Sequence, residues 1–424
     1  MTNLNKNFFK AAQLIEKIFF PFYKSKDIKK LFKILETNQP KNKKIAMFVG
    51  GCVRKYLTGQ RIDDIDIATV LSTEEIKQKF KDTDVRVIET GVDHGSVTLL
   101  LNKSKFELTT LRKDIKTDGR HAEIMITDDW LEDSNRRDLT INAIYLDKNG
   151  KVFDPHDGQD DLKKKIIKFI GDPNKRIQED YLRILRFIRF SIEYDSQLFS
   201  TTHEAIKLNL RGIKNLSKER ILSELLKIIK LKNFNNLLDK KDLKNIFLII
   251  FPEFNNLECL TKIKEYNSHV KGVMEFQLIL SAILINNSNN HEYFFHKYNI
   301  PNTMKANIFK ISTIFEKYKD DRDFLTKNLK KNVYLIGKIK LQNFIKFLFL
   351  VKKNFSYSEL RNVNTIIDSI KIPDFPFSGD YLIKKGIVEG KKIGLILKEL
   401  EDDWISNNYS ISEKKAQLII DKFL

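Results

Sequence analysis

Asp64 and Asp66 stand two residues apart in the run Asp63-Asp64-Ile65-Asp66, and an extended strand turns both carboxylates to one face. Like charges held that close are costly unless a cation sits between them, and a pair of hard oxygen ligands completed by substrate phosphates suits magnesium. Two solvated acids at a strand end are the plainer alternative. Just upstream, Gly50-Gly51-Cys52-Val53-Arg54 places two glycines at a strand-to-helix junction. Bare backbone there approaches a phosphate closely, and Arg54 adds positive potential. A glycine pair also serves simply as a turn, but together with paired acids at this separation it points to a phosphate-bearing ligand and a divalent metal.

Farther along, Asp180, Arg183, Arg186 and Arg189 recur every three residues in a stretch of helical periodicity. On one helix each step turns the side chain by about 60°, so neighbours share a face while Asp180 and Arg189 diverge. Asp180 with Arg183 can read a base edge, the carboxylate accepting from an exocyclic amine and the guanidinium donating to a ring nitrogen. Cytosine and adenine both present that pattern; uracil and guanine present its reverse. A surface ladder of i, i+3 ion pairs is the alternative. Arg136 and Arg137, ahead of a short apolar run, read on their own as solvation of a helix start. Glu107 faces opposite to Phe106 and Leu108 on a strand, either as a third carboxylate near a metal or as an exposed strand acid.

These side chains need a scaffold. Lys44 to Val49 reads as a buried strand, Val53 to Thr58 as a helix and Asp64 to Ala68 as a second strand. Ser72 with Glu75 makes a capping box that opens a helix running to about Phe80. Ser96 to Leu101 and Phe106 to Leu111, joined by Asn-Lys-Ser-Lys, read as two antiparallel strands. The result is an α+β region with a small mixed sheet. From about Leu162 the pattern is helix after helix, with one helix predicted over Pro173 to Glu193 and another over Ser217 to Leu231. Asn286 to Asn290, and Ile372 to Asp380 with Pro373 and Pro376, are the clearest loops.

With 424 residues, 42% of them hydrophobic and 31% charged, the chain has material for several cores, which excludes global disorder. Its longest apolar runs, Ile246 to Phe251 and Phe347 to Val351, fall far short of the roughly 20 residues of a membrane helix. The first 26 residues lack the cleavage site of a secretion signal. Two cysteines, Cys52 and Cys259, exclude a disulfide framework and fit a reducing compartment, the cytoplasm. The formal charge of +19 favours polyanions such as nucleic acid, although the Lys-, Ile- and Asn-rich composition of the whole chain dilutes that signal. The seven histidines are dispersed, without zinc spacing, and read as structural or surface.

The run GGCVRKYLTGQRIDDIDIA from Gly50 to Ala68 resembles the first motif of nucleotidyltransferases of the DNA polymerase beta superfamily. More closely, it resembles the class II family of CCA-adding enzymes and bacterial poly(A) polymerases. It departs at Lys55, where an acid is usual. RRDLTINA from Arg136 to Ala143, DPHDGQDDL from Asp154 to Leu162, RIQEDYLRILRFIR from Arg176 to Arg189 and LSKER from Leu216 to Arg220 continue the likeness in order.

The resemblance implies a polymerase beta-like catalytic head over 1–160, then an all-helical neck over 161–232, body over 233–335 and tail over 336–424. It implies two magnesium ions on Asp64 and Asp66, with Glu107 left open as a third acid. Gly50, Gly51, Arg54, Arg136, Arg137, Asp138 and Asn142 would contact the triphosphate and sugar. Glu179-Asp180 with Arg183 would be an amino-acid template for CTP and ATP, with Arg186 and Arg189 beyond it. Leu111 to Glu123 resembles the flexible loop required for the final A. The implied partners are the acceptor arm and elbow of tRNA, with CTP and ATP as substrates; no membrane or obligate protein partner is expected. A poly(A) polymerase is the near rival, disfavoured because VRVIETGVDHGSVTLLL lacks that group's basic-aromatic signature. A catalytically silent RNA-binding relative is the remote one.

Overall fold

The computed structural model describes residues 21–423 except 92–94, 118–121, 255, 271, 273, 287, 288 and 389; His94 and His121 therefore lie outside the described residues. The chain forms two compact units, one of Met1–Asn255 with Phe294–Asn299 and the other of Asn256–Tyr293 with Ile300–Leu424.

In the first unit, α1 (Lys26–Glu36) buries Ile28, Leu31, Phe32 and Leu35, an i, i+3, i+4, i+7 stripe that fits one helical face. Phe32 meets Phe48 of β1 (Ala46–Val49) with ring centroids 5.0 Å apart. β1 is buried on both faces: Ala46 and Phe48 join the cluster under α1, whereas Met47 and Val49 join a second cluster with Ala68 and Tyr145. After α2 (Gly51–Leu57) come β2 (Ile65–Thr69), α3 (Thr73–Phe80), β3 (Arg86–Gly91), β4 (Ser96–Leu101) and β5 (Ser104–Thr110). The predicted capping box of α3 is present in both directions, Ser72 to Glu75 and back.

β6 (Arg112–Thr117) and β7 (Ala122–Ile126) pair only with each other, and α4 (Trp130–Asn135), β8 (Tyr145–Leu146) and β9 (Val152–Phe153) complete the head. The main sheet has seven strands in the order β3-β4-β5-β2-β1-β8-β9. Every neighbouring pair is antiparallel except β2 with β5, so the sheet is mixed as expected. Of the segment 111–123 expected as a flexible polar loop, residues 118–121 lie outside the described residues, and the parts on either side belong to the pair of β6 and β7, in which Arg112 registers with Ile126. Cross-strand pairing satisfies its backbone where the side chains offered no apolar pattern to read.

Next come α5 (Gly158–Lys163), α6 (Pro173–Glu179), α7 (Leu182–Glu193), α8 (Ser200–Asn209) and α9 (Lys218–Ile229). The single helix predicted from Pro173 to Glu193 is thus two. The break falls at Asp180, whose backbone is extended at φ −158° and ψ 107°, and whose Oδ1 accepts from the Leu182 amide at 3.1 Å. A side chain that caps a new helix start competes with helix continuation, which uniform apolar periodicity conceals. Gly212 makes room beside the break: a Cβ there would lie 2.0 Å from the Tyr181 ring.

The second unit is helical throughout its described residues, and a buried group with Leu341, Phe344, Phe347 and Leu348 forms much of its core. A separate C-terminal cluster joins Leu382, Ile396, Leu400 and Ile420, against which Phe375 and Phe377 of the Pro-containing loop pack. Among the described residues no strand follows Phe153, and no helix is long and apolar enough to cross a membrane. Cys52 and Cys259 are free and buried.

Candidate active site

β2 sends Ile65 and Ile67 into the core beneath α1 and α3, so the pleat turns Asp66 to the opposite face. Asp64, one residue before the strand, is exposed. Glu107 on β5 registers directly against Asp66 across the parallel pair, on the same face. Gly50, at φ 73° and ψ −127°, turns the chain from β1 into α2 against this carboxylate. A Cβ at Gly50 would come to 3.4 Å from Asp66 Oδ2, and the positive φ disfavours any other residue. The glycine pair therefore brings backbone up to an acid.

Burial pushes the Asp66 carboxyl above its ordinary value, and the Glu107 and Asp64 charges push it further, against the opposing pull of Arg54 and Arg137. A divalent cation relieves such crowding, so hard oxygen donors and like charge both fit one. Among the described residues no three His, Cys, Asp or Glu side chains form a complete metal cage, so an ion on the two aspartates would take its remaining oxygens from water or substrate. Lys55, the departure from the family pattern, pairs with Asp63, and Asp63 Oδ1 also accepts from the Asp64 amide at 3.1 Å.

The opposite wall is basic. Arg54 is buried on α2 with neutral partners: Nη1 donates to Asn142 Oδ1, Nε to the Tyr194 hydroxyl at 3.3 Å, and the guanidinium lies 4.7 Å from the centre of the Phe190 ring. Asn142 in turn donates to Asp138 Oδ1 at 2.7 Å, and Arg186 Nε donates to Asp138 Oδ2 at 2.6 Å. Burial alone would raise the Asp138 carboxyl, but the Arg186 guanidinium and the Asn142 amide hold it far below the ordinary range. A relay thus runs from the sheet side to helix α7. Arg136 and Arg137, at the end of α4, both grip Asp133, at 2.7 and 2.9 Å.

The surface-ladder alternative for the arginines does not occur. Arg189 pairs with the buried Glu224 of α9, and Arg186 with Asp138. Asp180 Oδ2 accepts from Arg220 Nη2 at 2.7 Å. Asp180 and Arg183 share no ion pair and no helix, which corrects the expected one-face geometry. Glu179 accepts from both Arg176 and Arg183. Phe190 lies beneath Arg54, Arg186 and Arg189, with Arg189 nearest at 4.1 Å from the ring centre.

One cleft of about 720 Å³, the size of a nucleotide-binding pocket, brings these groups together. Of the residues expected to do chemistry, Gly50, Gly51, Arg54, Asp64, Asp66, Arg136, Arg137, Asp138, Asn142, Asp180, Arg183, Arg186 and Arg189 line it. Glu107 stands in register with Asp66 on the same face of the sheet, and Glu179 pairs with Arg183 of that lining. Five residues without an expected role also line it: Arg112, Leu182, Phe190, Arg220 and Lys227. Arg220 lies three residues after the N-cap Ser217 within the LSKER motif, a spacing that could have marked it as inward-facing. Nothing in the sequence flags Lys227. The arrangement can hold a polyanion on the basic wall with its reactive phosphate toward the acids.

Residues 46–168 match the poly A polymerase head domain, and residues 197–257 match the probable RNA and SrmB-binding site of polymerase A. The mitochondrial CCA tRNA nucleotidyltransferase 1 of Danio rerio is 32% identical over 399 residues, covering 88% of this chain and 86% of that protein. Its Homo sapiens counterpart is 31% identical over 401 residues, with the same coverages. A CCA-adding enzyme of Staphylococcus aureus strain Newman is 33% identical over 266 residues, which are 56% of this chain and 66% of that one. The fold is shared with the crystal structure of the Bacillus stearothermophilus CCA-adding enzyme in complex with CTP, at a TM-score of 0.74 and 21% identity over 94% of this chain and 98% of that one. It is shared also with the Thermotoga maritima CCA-adding enzyme complexed with tRNA_CCA, at a TM-score of 0.65 and 19% identity over 98% of each chain.

Proposed function

The chain belongs to the family of CCA tRNA nucleotidyltransferases built on a poly A polymerase head, and from that membership we propose the activity. The protein is an enzyme that adds CCA to the 3′ end of tRNA from CTP and ATP, without a nucleic-acid template, releasing pyrophosphate. The observation that carries this reading is the single cleft in which Asp64 and Asp66 face the Arg136 to Asn142 segment and the Asp180 and Arg183 side chains.

The roles follow from position. Asp64 and Asp66 would hold magnesium, two ions in the family's reading, and such ions supply activation of the attacking 3′-hydroxyl and stabilisation of the pyrophosphate charge. Gly50 and Gly51 let the triphosphate come close to backbone. Arg54, Arg136 and Arg137 neutralise and orient it, and Asp138 with Asn142 faces the sugar. Asp180 and Arg183 select the base, the carboxylate from the helix break and the guanidinium from the first turn of α7. Glu179 acts one step removed, by holding Arg183. Glu107 acts through its charge on Asp66. Lys227 and Arg220 extend the basic wall toward the phosphates of the primer strand.

We assign residues 1–160 to the catalytic head, 161–232 to the neck, 233–335 to the body and 336–424 to a tail that holds tRNA with the body. The formal charge of +19 suits an RNA partner whose binding weakens with salt, and two buried free thiols suit the cytoplasm. The test is a tRNA transcript ending at the discriminator base, incubated with magnesium and each nucleoside triphosphate, resolved at single-nucleotide length. Two additions with CTP, a third only with ATP present, and then arrest are the expected result. A long ladder with ATP alone would identify a poly(A) polymerase, and no extension would identify a silent RNA binder.

A further inference from the structure

Asp133 lies outside the cleft, and its side chain is 1% exposed. An acid so buried is found where it is fully paired, and this one receives an unusual number of donors. Arg136 reaches Oδ1 through Nε at 2.8 Å and Nη2 at 2.7 Å. Arg137 reaches Oδ2 through Nη2 at 2.9 Å and Nε at 3.2 Å. The Tyr145 hydroxyl donates to Oδ2 at 2.7 Å while accepting from Arg137 Nε at 2.9 Å, and the Arg112 amide reaches Oδ1 at 3.4 Å. Burial alone would raise this carboxyl; the two guanidiniums and the phenol hold it far below the ordinary range.

Stability alone does not explain the cluster. Burying an ionic group of this kind gains little over apolar packing of the same volume, because desolvation offsets the attraction. Its geometric effect is specific, however. Adjacent guanidiniums on consecutive residues repel each other, and free arginine side chains sample many rotamers. The i, i+3 and i, i+4 spacing on the last turn of α4 lets one carboxylate take the Nε–Nη2 edge of both forks. Both arginines line the cleft, and Arg137 is close enough to Asp66 to influence its charge.

We propose that Asp133 is the positioning residue for the Arg136 and Arg137 pair, locking both guanidiniums in place for the triphosphate of whichever nucleotide occupies the cleft. Because it acts on the triphosphate and not on the base, it serves CTP and ATP alike. The inference rests on the proposed nucleotidyl transfer. It also makes Tyr145, fully buried on β8, the strut that ties this grip to the sheet.

The test uses the full chain with Asp133→Asn, Asp133→Glu and Tyr145→Phe, measuring equilibrium binding of CTP and of ATP, binding of tRNA, and thermal unfolding. For Asp133→Asn the expected result is about tenfold weaker binding of both nucleotides, from losing a charge-assisted grip, with tRNA affinity within about twofold of the parent. Asp133→Glu restores part of the loss, and Tyr145→Phe shows a smaller loss of the same kind. Unchanged nucleotide affinity in a folded Asp133→Asn protein overturns the proposal, as does parallel loss of tRNA and nucleotide binding, which marks a residue that merely supports the fold. Should Asp133→Asn fail to fold, the same criteria apply to the other two variants. A parent protein that binds neither CTP nor ATP overturns the proposed function itself; a parent that binds them and variants that match it overturn only the role of Asp133.

Discussion

The two walls of the cleft are held by opposite electrostatic arrangements. On the sheet side, Asp66 stands among like charges from Asp64 and Glu107, and its carboxyl is pushed upward. On the helical side, Arg183, Arg186, Arg189 and Arg220 each have an acid of the chain itself, from Glu179, Asp138, Glu224 and Asp180. The acid wall is incomplete without something brought from solution, whereas these four arginines are paired before any ligand arrives. A wall that is internally satisfied fixes geometry, and a wall that is not attracts a cation. Catalysis therefore depends most on the first and folding most on the second.

The largest effect that would sharpen this contrast lies on the acid wall. Asp64→Asn or Asp66→Asn is expected to lower the nucleotide-addition rate on the order of 10³-fold or more, since metal stabilisation of transition-state charge is worth several kcal/mol. The melting temperature should hold or rise, because a like charge is removed. Single-turnover extension of tRNA together with thermal unfolding checks both halves. A variant that unfolds while retaining its per-molecule rate would make these acids structural and break the contrast.

The basic wall should respond the other way round. Asp138→Ala strips both Arg186 and Asn142 of a buried acceptor, and breaking a buried ion pair of this kind costs about 3 kcal/mol of stability. Denaturant unfolding monitored at two signals measures the loss. Loss of nucleotide binding should follow from the displaced Asn142 and Arg54. An Asp138→Ala protein as stable as its parent would show that the relay from Arg54 to Arg186 carries no folding energy.

The same contrast explains what could be read in the chain. Spacing made the acid wall legible: a strand's period of two puts Asp64 and Asp66 on one face, and the glycine pair marks the turn beside them. Capping chemistry made α3 legible through Ser72 and Glu75. The partners of the basic wall were not legible, because they come from other elements: Glu224 lies 35 residues from Arg189, and Asp138 lies 48 from Arg186. Helical periodicity also runs unbroken through Tyr181, so it concealed the side-chain cap by which Asp180 starts α7, and the turn of its other oxygen toward Arg220. Glu107 was legible by the same facing argument, since it shares the face of Asp66 and pushes that carboxyl upward.

The smallest expected effect separates the walls by sign. A carboxyl whose folded-state value is raised binds more protons in the native than in the unfolded protein across the window above its ordinary value of 3.8, so stability falls as pH rises through that window. Asp66 thus imposes a constant cost on the metal-free protein at neutral pH. Asp138, held low, contributes stability that is present at neutral pH and is lost as acid protonates it below the ordinary value. In chelator at pH 7, Asp66→Asn should therefore melt above the parent, and the gap should close as pH falls through the raised Asp66 value. Magnesium at about five times its dissociation constant should stabilise the parent by about 1 kcal/mol and leave Asp66→Asn nearly unmoved. Thermal melts with and without the ion, at neutral and mildly acidic pH, measure both quantities. A parent that gains nothing from magnesium, or an Asp66→Asn protein that gains as much, would place the cation elsewhere and remove the electrostatic reason for the acid wall.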